Sequence, residues 1–294
     1  LPDTGAGFRK GRHIETFSKG AHSDAEVVQL MIGREITQVF PPKPPAVESR
    51  RPRLEVARLG WGDRLADISF AVHEGEIVGL GGLDGQGQRE LLLALFGVLR
   101  GVTGDIRIDG RKVAIRGPSA AKAAGIDMAL IPEDRKTEGL LLPMTIGENL
   151  SMAALGGLSR AGLIDQPREA AAIRTMVDKL RIKIGSVDDP VATLSGGNQQ
   201  KVVIGKWLLT RPRIILLNDP TRGIDVGTKQ ELYQLLRDLA AEGAAILFYT
   251  TDYDELIGCC DRVLVLYAGQ VVNTLEGDAI TEHALIVSAL NIGD

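Results

Sequence analysis

Four short apolar runs constrain this chain more than any other feature: Met128–Ile131, Ile214–Leu217, Ala245–Tyr249 and Val263–Tyr267. An unbroken apolar run of this length, with no polar alternation, belongs to a strand buried on both faces. Helical patterns lie between and around these runs. Gln230–Ala241 sets Leu232, Leu235, Leu236 and Leu239 on one stripe, and a helix starting near Asp165 and Pro167 does the same with Ile173, Met176, Val177 and Leu180. Strands that alternate with helices build an α/β core around a parallel sheet.

A second pattern precedes the core. Leu54–Arg58 and Ile68–Val72 read as short strands, followed by a strand over Glu76–Leu80. Ile106–Ile108 and Val113–Ile115 flank Asp109-Gly110, a strong hairpin signal, and predict an antiparallel layer distinct from the core. A mostly helical insertion lies between the first two apolar runs. Pro41, Pro42, Pro44, Pro45 and Pro52 mark residues 41–52 as a stiff, extended linker. Residues 1–40 read as an arm, polar over its first 20 residues and with a short helix expected over Asp24–Ile36. There is no internal repeat.

Composition excludes some classes of function. The net charge is -4, which argues against a nucleic-acid partner bound through bulk positive charge. Aromatic residues make up only 4%, leaving few platforms for stacking bases. No apolar stretch reaches the roughly 18–20 residues that cross a bilayer. The cysteines, Cys259 and Cys260, are adjacent and fit a reducing, cytoplasmic compartment. His13, His22, His73 and His283 are scattered without ligand spacing, and no metal site is expected from them. Opening on Leu1, the chain reads as a fragment of something longer. Its 35 glycines, about 12% against an ordinary 7%, follow no collagen period; they point to tight turns and close backbone approaches to ligands.

Three segments carry chemistry. Gly81-Gly-Leu-Asp-Gly-Gln-Gly-Gln-Arg-Glu90 lies between a strand and the helix Leu91–Phe96, where backbone N–H groups and a helix N-terminus can hold a phosphate. Gly82 and Gly87 have phosphate-loop spacing, but Gln88 stands where that pattern has lysine and Arg89 where it has a hydroxyl. On its own the segment could be an ordinary glycine-rich turn. The octet Leu194-Ser-Gly-Gly-Asn-Gln-Gln-Lys201 is more specific: Ser195 can cap the next helix, and Gly196 and Gly197 let a phosphate approach it. In the third segment, Ile214-Ile-Leu-Leu-Asn-Asp-Pro-Thr-Arg-Gly-Ile-Asp225, a strand ends in Asn218-Asp219, which in isolation is also an ordinary turn cap.

The octet resembles the signature of ABC-transporter ATPases, and the other segments fall into that family's order. The resemblance spans about residues 53–290. It implies an α/β, P-loop NTPase-like ABC core with an antiparallel β layer and a helical subdomain over about 144–205. Glu133-Asp-Arg-Lys136, Asn198-Gln-Gln-Lys201 and Pro220-Thr-Arg-Gly-Ile-Asp-Val-Gly227 bring it nearest to the second half of tandem ATPases from simple-sugar importers of the ribose, galactose and xylose type. Arg9-Lys-Gly-Arg12 and Val28-Gln-Leu-Met-Ile-Gly-Arg34 resemble the tail of the first half.

Residue by residue, the resemblance implies ATP held by Gly82, Gly85, Gly87, Gln88, Arg89 and Asn218, with Trp61 stacking on adenine. Trp61 and the charged loop at Glu133 also have plainer readings, as packing and as a solvated turn. Asp219 takes the catalytic glutamate position with a side chain one methylene shorter. Glu133, Asp134, Arg135 and Lys136 form the coupling loop, Asp225 belongs to the D-loop, and Thr251 takes the switch position usually held by histidine. Ser195, Gly196, Gly197 and Gln199 would be offered to the phosphate loop of an intact first half. Magnesium is expected in the whole complex and is doubtful at this chain's own site. The implied partners are the first ABC half, membrane permease subunits and, indirectly, a sugar-binding protein, all at the cytoplasmic face of the plasma membrane. The alternative is a pseudo-ATPase scaffold that never binds nucleotide.

Overall fold

The computed structural model describes residues 4–9, 12–18, 21, 40–44 and 51–292. The helix expected over Asp24–Ile36, the Val28–Arg34 segment and Pro45 of the linker lie outside the described residues, as do Lys10 and Gly11. The chain divides into two compact units, Leu1–Pro41 and Pro42–Asp294. In the first, Thr4–Arg9 and Arg12–Ser18 pair as an antiparallel hairpin with an irregularity between Gly7 and Phe8. The sequence carries no periodic signal for it, because residues 14–18 are mostly exposed and bury no apolar face.

The second unit holds, among its described residues, a six-stranded sheet in the order Gln270–Glu276, Arg262–Tyr267, Ile77–Gly81, Ala245–Tyr249, Ile214–Asn218, Met128–Ile131. All neighbours are parallel except the first pair. The apolar runs are buried along their whole length at Ile77–Gly81, Met128–Ile131, Ile214–Asn218 and Ala245–Tyr249. A four-stranded antiparallel sheet, ordered Leu65–His73, Pro52–Trp61, Thr103–Ile108, Arg111–Val113, forms the second layer. Leu54, Leu59 and Ile68 from that layer share one core with Leu80, Leu216 and Leu247 of the parallel sheet and with Leu91, Leu92 and Leu95 of the helix Gln88–Leu95.

Sequence boundaries shift for local reasons. The strand expected at Val113–Ile115 is Arg111–Val113, because Ile108 pairs with Arg111 and Ile106 with Val113 across the two-residue turn. Ile115 lies beyond the strand and is only partly buried against the core. The strand expected at Leu54–Arg58 runs on to Trp61 through register shifts. The helix expected from Gln230 begins at Val226, since Asp225 Oδ1 accepts the Thr228 amide at 3.1 Å and caps it. In the insertion, Asp165 caps Gln166–Lys179 through the Arg168 amide at 3.2 Å, and Thr145 and Glu148 form a capping box for Ile146–Ser151. Among the described residues, no helix is long and apolar enough to cross a membrane.

Two hairpins end in the same left-handed pair, Asp109-Gly110 and Ala268-Gly269, with φ of 50° and 76° and of 48° and 75°. Their surroundings differ. A Cβ on Gly110 would meet nothing within 4 Å, whereas one on Gly269 would lie 2.3 Å from the Arg64 carbonyl oxygen. Gly110→Ala is therefore expected to cost about 1–2 kcal/mol from backbone strain alone. Gly269→Ala should cost more, because Arg64 must also move. Urea unfolding of both variants checks the order.

Candidate functional site

The central strand Ile77–Gly81 delivers the chain into Gly82–Gly87, and the helix Gln88–Leu95 leaves it. Gly82 has φ +119°, and a Cβ there would lie 2.3 Å from the Leu266 carbonyl oxygen, so the fold itself admits only glycine. The protein holds this loop from several sides. Arg64 donates to the Gly85 carbonyl at 3.1 Å and to Glu90 at 3.0 Å. Tyr249 donates to Asp84 Oδ1 at 2.8 Å, while Gln86 accepts the Ala268 amide at 2.6 Å. Burial, helped by the Asp84 carboxylate, pushes the Tyr249 phenol far above its ordinary range. Gly85 itself faces open space at φ +80°.

Gln88 is buried at 1% exposure, and its side chain folds back into the loop. Its Nε2 donates to the carbonyls of Gly81 at 3.2 Å and Leu83 at 3.0 Å, and its Oε1 is buried without a partner. The position where the phosphate-loop pattern has an ammonium group thus holds a neutral amide whose donors face loop carbonyls. Arg89 does not supply the missing charge. It pairs with Glu138 at 2.8 Å, both side chains partly exposed. Trp61 is half-buried against the core, and its indole N–H donates to the Arg100 carbonyl at 2.9 Å.

Two neighbouring strand ends approach each other. Asn218 is buried, with Oδ1 unpartnered. Asp219 follows at φ 43°, its amide donating to the Tyr249 carbonyl at 2.8 Å and its Oδ2 accepting the Thr251 hydroxyl at 3.1 Å. Burial raises the Asp219 carboxyl above the ordinary carboxylate range; Thr251 opposes that shift, and the charges of Glu255 and Glu133 add to it. Glu133 forms an ion pair with Arg222.

A second group gathers around the signature glycines. Arg135 donates to the Arg222 carbonyl at 3.3 Å, and its Nη2 lies 2.8 Å from where a Cβ on Gly196 would stand. A Cβ on Gly197 would lie 2.6 Å from Thr228 Oγ1. Close packing against the short Thr228 side chain therefore already restricts Gly197, whereas at Gly196 only the flexible end of Arg135 would have to move. Ser195 sits at the N-cap of Gly196–Leu208, but its hydroxyl accepts the Asn198 amide at 3.0 Å and makes no capping bond, a correction to its expected role. Gln199 is buried and donates to the Val191 carbonyl at 3.4 Å. Asp134 accepts the Lys136 amide at 2.8 Å at the start of the π-helix Arg135–Gly139, and that bond holds its carboxyl low. Lys136 is exposed. Burial raises the Asp225 carboxyl, but its hydrogen bonds from Thr228 outweigh that and lower it overall.

The fold thus brings Gln88, Asn218, Asp219, Thr251 and Glu133 to one end of the parallel sheet, with Arg135, Ser195–Gln199 and Asp225 beyond Arg222. Trp61 shares no hydrogen bond with either group. Asp84 and Arg222 lie inside quoted motifs without an assigned role, while Tyr249 and Glu255 carried no motif signal. The donor set suits an anion held by backbone N–H groups at a helix N-terminus. It does not fit magnesium at this loop. Arg89 stands at the hydroxyl position, Asn218 is uncharged, and magnesium favours carboxylate, phosphate and water oxygens. Among the described residues, no group of three or more His, Cys, Asp or Glu could hold a metal ion.

Fold and site together define the α/β, P-loop NTPase-like ABC ATPase class. A nucleotide-free ATP-binding cassette from an ABC transporter superposes with TM-score 0.68 at 19% identity, covering 83% of this chain and 100% of that one. An ATP-binding subunit of an ABC transporter does so with TM-score 0.64 at 27% identity, covering 81% and 99%. The family model for ABC transporters matches residues 65–222, and the chain belongs to that family. It is 65% identical over 293 residues to the "Ribose import ATP-binding protein RbsA 1" of Mesorhizobium japonicum, covering 99% of this chain and 57% of that protein. With the "Ribose import ATP-binding protein RbsA" of Geobacillus kaustophilus it shares 43% over 282 residues, covering 96% of this chain and 56% of that protein. The chain thus spans little more than half the length of these relatives.

Because burial raises the Asp219 carboxyl, ionised Asp219 opposes folding, and the stability it contributes falls as pH rises through its folded-state pKa. Asp219→Asn keeps an acceptor for Thr251 and removes the charge. The variant is expected to be more stable than the parent at pH 7, with the advantage shrinking as the pH falls through the raised folded-state pKa and lost below the ordinary carboxylate range. Denaturant melts across that range check the sign.

Proposed function

We propose that this chain is the ATP-binding, energy-coupling half of a carbohydrate importer, paired with an intact first ABC half. In this reading its own nucleotide site is degenerate, and Ser195, Gly196, Gly197 and Gln199 complete the site of the first half. The relatives named for ribose import, and their nearly twofold greater length, support both the transport role and a missing half. Residues 53–290 would form the ABC domain, 41–52 its linker, and 1–40 the tail of the preceding half, with the helical subdomain over about 144–205.

One observation carries the degeneracy. Gln88 occupies the lysine position, and its amide donates to the carbonyls of Gly81 and Leu83. The backbone cradle remains for phosphate oxygens, but the cation that would neutralise them is gone, leaving an unpartnered Oε1 that repels anions. Asn218 and the engaged Arg89 extend the loss to the metal. Gly82, Gly85 and Gly87 would still approach nucleotide, Trp61 would lie beside adenine, and Asp219 with Thr251 would orient water poorly. The coupling loop Glu133–Lys136 would pass motion to membrane permease subunits at the cytoplasmic face of the plasma membrane, with a sugar-binding protein acting through them. The whole complex would use ATP and magnesium; this chain's own site would not need the metal. Asn218 also favours a second reading, a scaffold that never binds nucleotide.

Titration with a fluorescent ATP analogue separates the two readings. Weak binding that persists when magnesium is chelated is expected, tightening about tenfold in Gln88→Lys as a charge-assisted contact is restored. Absence of binding in both proteins would leave only the scaffold.

A further inference from the structure

Beneath Asp219 and Thr251 lies a buried carboxylate that no motif assigns. Glu255, on the helix Tyr253–Cys259, is 1% exposed and accepts four hydrogen bonds. Its Oε2 takes the hydroxyls of Thr221 at 2.8 Å and Thr250 at 2.7 Å. Its Oε1 takes Lys229 Nζ and the Tyr233 phenol, each at 2.7 Å. The two oxygens therefore serve different parts of the chain. Oε2 clasps both segments that carry the Asp219–Thr251 pair, since Thr221 follows Asp219 by two residues and Thr250 precedes Thr251. Oε1 clasps the helix Val226–Ala241, where Lys229 and Tyr233 are four residues apart and share a face.

That helix reaches the signature glycines. Thr228, beside Lys229, stands so close to Gly197 that a Cβ there would lie 2.6 Å from its hydroxyl oxygen. Its Oγ1 also donates to Asp225 at 2.8 Å, which fixes the start of the helix. A buried carboxylate with all its partners made is rigid, and losing one partner is costly because the charge cannot turn to water. The strand-end segments and the helix under Gly197 are thus tied to one charge and cannot shift independently at low cost.

We propose that Glu255 is a positioning residue that couples the segments at Asp219 and Thr251 to the signature glycines Gly196 and Gly197. A displacement at this chain's own nucleotide site is then felt at the face offered to a second ABC domain. The functional meaning of that coupling rests on the reading given under Proposed function; the coupling itself does not.

Amide hydrogen exchange on the complete chain, without nucleotide, tests it. Thr250→Val removes one hydroxyl from Oε2 at nearly constant volume. It is expected to speed exchange about tenfold both at the Asp219 amide and, across the network, at 199–203, the size expected when a hydrogen bond to a charged group is lost. Lys229→Met removes the cation from Oε1 and should speed exchange at Asp219 as well as in its own helix. Acceleration confined to each variant's own side, or a uniform rise that matches the fall in global stability in a urea melt, would overturn the proposal. If Lys229→Met does not fold, Thr250→Val decides alone, through its effect at 199–203. Because no nucleotide is present, failure here is distinct from failure of the ATP-analogue titration, which tests the importer reading.

Discussion

The carboxyl ends of the parallel strands fix where chemistry can occur in this molecule. Ile77–Gly81 ends in the glycine loop, Met128–Ile131 leads to Glu133, Ile214–Asn218 to Asp219, and Ala245–Tyr249 to Thr251. These strands are buried on both faces, so none can slide or rotate without exposing apolar surface. Open α/β sheets place ligands outside the carboxyl ends of their strands, and here the candidate residues gather there. The hydrogen bonds from Tyr249 to Asp84 and from the Asp219 amide to the Tyr249 carbonyl join three of those ends directly.

Shape and charge part company at this site. The glycine loop keeps its left-handed residues and its contacts with Arg64, Tyr249 and Ala268, and the fold would require Gly82 even without a ligand. Around it the side chains at the motif positions are neutral or already engaged. Gln88 is neutral, Arg89 answers Glu138, Asn218 is neutral, and burial raises the Asp219 carboxyl above its ordinary range. The signature region is populated differently. Arg135 lies against Gly196, and Thr228, bonded to Asp225, lies against Gly197, so the two glycines are closely packed. The proposed pairing with an intact first half rests on this contrast between the two regions.

Much of the fold could be read from the chain because burial on both faces leaves unbroken apolar runs, and because Asp109-Gly110 and Asp165-Gln-Pro167 are strong local signals. Local reasoning failed where a competing partner, near or distant, decides the bond. Ser195 has the chemistry of a cap, but Asn198 engages its hydroxyl. Asp225, read as a motif residue, also starts a helix four residues early. Glu255 lies in a stretch with no distinctive pattern, and its four donors come from three separated segments. For Gln88, sequence showed that the lysine was gone but not that the amide turns inward.

The central claim is that this chain keeps a nucleotide-shaped loop without the charges that make it hydrolyse. Calorimetric turnover by the purified chain, at saturating ATP and magnesium, tests it most directly. The account predicts no heat of hydrolysis above that of the buffer. Sustained turnover that disappears in Asp219→Asn would contradict it.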